Sequence, residues 1–171
     1  MDLRAEILKE HSRKQSEKIA KWIGTDPGRF KEFMQLFLND EYRVVQRSAW
    51  VLSVVAEKHY KLALPWLPEM VKKISEPGVH VAVKRNVVRI LQFLEIPEEL
   101  HGDVMNACFD LLGDIKETIA VRVFAMTVLS NLAKTYPDIK QELRSLIEDE
   151  LSHQPSAGFT ARAKKLLKEL K

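Results

Sequence analysis

The stretch Val83-Lys84-Arg85-Asn86-Val87-Val88-Arg89-Ile90-Leu91 is answered 38 residues later by Val121-Arg122-Val123-Phe124-Ala125-Met126-Thr127-Val128-Leu129. Apolar residues occupy the first, fifth, eighth and ninth places of both: Val83, Val87, Ile90 and Leu91, then Val121, Ala125, Val128 and Leu129. That spacing draws one stripe along an α-helix, and a strand would need a period of two. The same columns extend to Val45, Ala49 and Leu52 upstream, where Ser53 interrupts the fourth, and to Phe159, Ala163, Leu166 and Leu167 downstream. A further column holds Ala56, Leu94, Leu132 and Leu170. Self-similarity at a fixed period of this length is the mark of stacked supersecondary units, each too small to bury its apolar face alone.

A second set of columns carries the same offset. Phe33, Val71, Phe109 and Ile147 align, as do Leu67, Met105 and Leu143, and Met70, Cys108 and Leu146. The chain therefore reads as an all-α array of about four helical hairpins, spanning 26–58, 62–95, 98–135 and 138–170. The first helices are predicted at 27–38, 62–75, 98–113 and 138–152, and the second at 42–58, 79–95, 117–135 and 157–170. Asp26-Pro27 forms an N-cap followed by proline at the first helical position. Pro77-Gly78 and Asn39-Asp40 supply turns. Residues 1–25 bring Leu3, Ile7, Ile19, Trp22 and Ile23 and are predicted to cap the array, with Ser12 and Gln15 as a capping box.

This pattern resembles the HEAT repeat family over residues 26–170. Val83-Lys84 and Val121-Arg122 match the Val–basic pair that often opens the family's second helix, Asp40 its turn aspartate, and Pro65 and Pro68 its first-helix proline. Gln46 and Thr160 depart from the basic position. The resemblance implies a single-domain right-handed α-α superhelix (a solenoid) with second helices on the inner face. It implies scaffolding or partner binding as the general role. It also places Lys84 and Arg122 where basic residues bridge to a neighbouring repeat. The chain is similar as well to short bacterial HEAT-like proteins and, distantly, to the HEAT-like alkylpurine DNA glycosylases, the enzymatic minority of such folds.

Composition narrows the function classes. The 171 residues are 46% hydrophobic and 30% charged, with a net charge of +3. No apolar run reaches the roughly 18 residues of a membrane span, and the N-terminus Met1-Asp2-Leu3-Arg4 has no apolar leader core. One cysteine, Cys108, forms no internal disulfide, and together these features point to the cytoplasm. The histidines, at 11, 59, 80, 101 and 153, form no metal-ligand spacing. No phosphate loop, dinucleotide turn or nucleophile elbow is present. Asp110 and Asp114 share a helix face that reads as solvated, and Cys108 reads as a small core residue. No cofactor is expected.

The charges segregate. Arg43, Arg47, Lys84, Arg85, Arg89, Arg122, Arg162, Lys164 and Lys165 lie on second helices, whereas Glu69, Asp103, Asp110, Glu142, Glu148 and Asp149 lie on first helices or their flanks. If Val45, Ala49, Leu52 and Ala56 face the core, then positions 47, 50, 51 and 54 and their equivalents face away. The expectation is a basic and apolar inner face binding a protein partner through Arg47, Trp50, Arg85, Val88 and Arg89. Lys84, Arg122, Lys164 and Lys165 are further basic candidates. Such a surface suits an acidic segment with apolar anchors. The alternative is a nucleic-acid-binding repeat protein connected with DNA alkylation repair, for which Trp50 would be an inner-face aromatic; no second helix carries a carboxylate at its middle.

Overall fold

Two prolines show how local chemistry shapes the repeats. The sequence predicts one helix over 62–75, but Pro65 and Pro68 each lack the N–H that a helix interior requires. In the computed structural model, which describes residues 1–171, this region breaks into a short helix α5 (Tyr60–Ala63), a 3-10 turn (Leu64–Trp66) and α6 (Leu67–Ile74). The remaining helices follow the predicted pattern. They are α1 (Leu3–Lys9), α2 (Arg13–Ile23), α3 (Pro27–Asn39), α4 (Tyr42–Lys58), α7 (Val81–Leu91), α8 (His101–Gly113), α9 (Ile119–Leu132), α10 (Lys140–Ser152) and α11 (Ala157–Glu169). Single 3-10 turns precede α8 and α10. There is no strand, and no helix is long and apolar enough to cross a membrane.

The chain divides into two units, Met1–Ile90 and Leu91–Lys171. In the first, α1 and α2 lie against α4, which also packs on α3. Ser12 caps α2 by accepting from Gln15 N at 3.1 Å. The predicted capping box is only half formed, because the Gln15 side chain turns back to α1 and donates to the Glu6 carbonyl and carboxylate at 2.7 Å. Asp26 accepts from Gly28 N and Arg29 N, so α3 starts where Asp26-Pro27 predicts. Gly24 ends α2 with a φ of +54°, a conformation that a Cβ disfavours. The Pro77-Gly78 turn likewise places Gly78 at +72°.

The 38-residue columns are the core. Val45, Val83, Val121 and Phe159 are buried, as are Ala49, Val87, Ala125 and Ala163, and Leu52, Ile90, Val128 and Leu166. Ser53 is fully buried where the equivalent positions carry leucine, and its hydroxyl has no hydrogen-bond partner. In α4 a second stripe, Val44, Ser48, Val51 and Val55, is buried too. The periodicity of one stripe does not reveal the other, because a helix sandwiched between two neighbours buries both flanks.

In the second unit, α8 packs along α9, and α11 packs on α9 and α10. His101 ties the segment before α8 to the turn before α10. Its Nε2 donates to the Ile96 carbonyl at 2.8 Å, which leaves Nδ1 to accept from the Tyr136 hydroxyl at 2.9 Å.

Candidate functional site

The first unit holds a cleft of about 330 Å³ between α4 and α7, lined by His11, Gln46, Trp50, Ala82, Arg85, Asn86 and Arg89. Three of these, Trp50, Arg85 and Arg89, are among the residues that the sequence singles out. The cap builds one wall. Arg4 on α1 reaches the turn between α3 and α4, pairing with Asp40 at 3.0 Å and Glu41 at 3.0 Å, and it holds the Asp40 carboxyl below its ordinary range. Lys18 on α2 meets Glu6 on α1 at 2.6 Å; this contact and the Gln15 hydrogen bond lower the Glu6 pKa. With α1 and α2 fastened in this way, His11 in the link between them is set against Trp50. The two rings meet edge to face at 5.4 Å.

The opposite wall is α7. His80 starts it by accepting from Ala82 N through Nδ1 at 2.9 Å, and its ring meets Tyr42 edge to face at 5.4 Å. Asn86 donates one amide hydrogen to the Ala82 carbonyl, and Arg89 pairs with Glu57 of α4. Arg85 is exposed and makes no hydrogen bond or ion pair, and the Gln46 amide and the Trp50 indole N–H are likewise without partners. Burial lowers the His11 pKa, with smaller contributions from Arg47 and His80. The lining contains no carboxylate.

In the first unit, two candidates take different places from those expected. Val88 is 0% exposed and belongs to the core, so it is no surface anchor. Its equivalent Met126 is also buried, whereas Trp50 and Lys164 in the same column are half-buried and exposed, so the column is covered only in the two middle repeats. Arg47 is half-buried and donates to the Leu8 carbonyl at the end of α1, which makes it a fastener of the cap beside the cleft. Lys84 is half-buried on α7.

The second unit carries the remaining three. Lys164 and Lys165 are exposed on α11. Arg122, at 7% exposure, is an interior residue and not a surface cation. Its Nε donates to the Leu112 carbonyl at 3.0 Å, and its two terminal nitrogens donate to the Glu150 carboxylate at 2.9 and 2.8 Å. The guanidinium lies 5.2 Å from the Phe159 ring centre. One side chain thus joins α8, α10 and α11 to α9.

Sequence reasoning missed His11. It lies 39 residues from Trp50 in a polar link, with no periodicity to place it, and only folding of the cap brings the two rings together. Gln46 and Asn86 were also missed, since isolated amides carry no sequence signal. Nothing in the cleft forms a nucleophile–base pair, and no group of three or more His, Cys, Asp or Glu residues is disposed to hold a metal ion. Cys108 is fully buried, and burial pushes its thiol up to about 12. The thiolate is the reactive form. The folded protein is therefore expected to leave Cys108 unmodified by a thiol reagent at pH 8 over the time in which the denatured chain reacts fully. Rapid native labelling, followed by mass spectrometry, would contradict this burial.

A HEAT repeat domain model matches residues 3–170, including the cap. No curated protein matches the sequence. With the match running through both units and all four hairpins, the chain belongs to the HEAT repeat family.

Proposed function

We propose that the protein is a non-enzymatic scaffold that holds an acidic and apolar segment of a protein partner in the cleft of its first unit. Repeats of this family generally serve as protein-interaction scaffolds and are typically non-catalytic. The observation that carries the reading is Arg85, a guanidinium without a partner, beside Trp50 in a cleft lined by no carboxylate. An unpaired cation in a surface cleft attracts an anionic group of a partner, and an aromatic beside it supplies apolar contact area. Arg85 would supply the charge and Trp50 the anchor, with Arg89 held across the cleft by Glu57.

The Arg85→Glu variant tests this reading. Arg85 is exposed, so helicity and thermal stability are expected to remain those of the parent within about 0.5 kcal/mol. Recovery of the specific partner from native cells, quantified by mass spectrometry, is expected to fall at least about tenfold, because a like charge now faces the acidic segment. Unchanged recovery would remove the cleft as the binding site. Duplex DNA is the comparison ligand: binding that weakens steeply with added salt would support phosphate contacts instead, and the proposal expects none that depends on Arg85.

A further inference from the structure

The charges around the cleft do not balance, and the imbalance indicates what kind of acidic group would fit. Arg89 is compensated by Glu57. Arg85 has no carboxylate partner. Arg47 donates only to a backbone carbonyl, which leaves its charge uncompensated, and it lies close enough to His11 to act on its ionisation. Arg85 is therefore the unpaired guanidinium of the lining, and Arg47, outside the lining, adds a second positive charge that reaches His11. Around them, the Trp50 indole N–H, the Gln46 amide and the second amide hydrogen of Asn86 are further donors.

A carboxylate carries one charge, which matches Arg85 alone and leaves the field of Arg47 uncompensated. A phosphoryl ester at neutral pH carries nearly two charges on three acceptor oxygens, with a second pKa of about 6. Guanidinium groups suit it because they donate in a planar fork to adjacent oxygens. Resting on the partner-binding reading above, we propose that the cleft between α4 and α7 takes the phosphoryl group of a phosphorylated serine or threonine on the partner, held by Arg85 and drawn in by Arg47. The His11 imidazole at the rim is faced by Arg47 from α4 and by His80 from the start of α7. A bound dianion reverses the sign of that field and favours the imidazolium.

The test uses the full chain and three probes followed by NMR: N-acetyl-phosphoserine amide, N-acetyl-glutamate amide and inorganic phosphate. The phosphoserine probe is expected to shift the Trp50 indole N–H, to raise the His11 pKa, and to bind about tenfold or more tightly than the glutamate probe. Arg85→Gln is expected to weaken it by about tenfold or more while leaving the spectrum of the second unit unchanged. Glutamate binding as tightly as phosphoserine would overturn the phosphoryl assignment and leave the partner-binding reading standing. Inorganic phosphate binding more tightly than phosphoserine would mark a free-anion site and overturn the commitment to a partner side chain. No shift of Trp50 with any probe would count against both.

Discussion

Replacing Arg122 with Met is expected to destabilise the second unit by about 3 kcal/mol, the lower end of what removing one member of a buried ion pair costs. The lower end applies because the Glu150 side chain keeps 20% exposure and so retains some water. The loss arises from several contacts at once. The Leu112 carbonyl loses its donor, the Glu150 carboxylate loses both of its hydrogen bonds, and Phe159 loses the cation beside its ring. Chemical denaturation followed by a probe in the second unit, such as the Tyr136 resonance, measures the effect. The pH dependence has a definite sign. Arg122 hydrogen bonding is the main cause of the lowered Glu150 pKa, relative to an ordinary value of 4.5. A depressed carboxyl contributes stability that is fully present above the unfolded pKa and is lost as pH falls through the folded one. The gap between parent and variant should therefore be full at pH 7 and narrow below about pH 4.5. A gap that stays constant down to pH 3 would show that the ion pair is not its source.

Phe33→Ala is expected to cost the first unit about 3–5 kcal/mol, the range for emptying a buried aromatic site. Phe33 is 0% exposed on α3 and stacks with Phe30 at 5.9 Å between ring centres. Phe109 occupies the same column two repeats later but is only half-buried on α8. Phe109→Ala should therefore cost about half as much, since less area leaves water on folding. Equal losses at the two positions, measured by urea denaturation, would mean that the difference in their burial does not set the cost.

The fold is legible because burial repeats at 38 residues. Val45, Val83, Val121 and Phe159 are interchangeable in role, and the alanine column marks where helices meet. The reading of the outward face fails at Val88 and Met126 for a physical reason: a single amphipathic stripe assumes one neighbour, whereas a second helix in a stack has several. Apolar residues at those positions are themselves the missed signal, since a solvent-facing column would hardly place valine and methionine at successive repeats. The break at Pro65 and Pro68 is legible from proline chemistry, whereas the repeat columns alone predict an unbroken helix over 62–75. The candidate site was half legible. Trp50, Arg85 and Arg89 follow from helical geometry, whereas His11 enters only through the hydrogen bonds that fasten the cap, Gln15 to Glu6 and Arg47 to Leu8.

Those fasteners also separate the roles of the arginines. Arg47 reads as a surface cation in one dimension and Arg122 as a bridging or additional basic residue, and each is committed to a backbone carbonyl on another helix. A guanidinium offers five donors on a long apolar stem, so it can bury its length and satisfy distant acceptors. Arg85 has no such engagement, and that difference carries the functional reading.

The most direct measurement places a photo-crosslinking amino acid at position 46 in the cleft, and a matching one at the exposed position 145 on α10, in cells that make the protein natively. A discrete protein adduct is expected from position 46 and should disappear when Arg85 is changed to Glu, with no such adduct from position 145. An adduct from position 145 alone, or one from position 46 that is nucleic acid rather than protein, would contradict the proposed function.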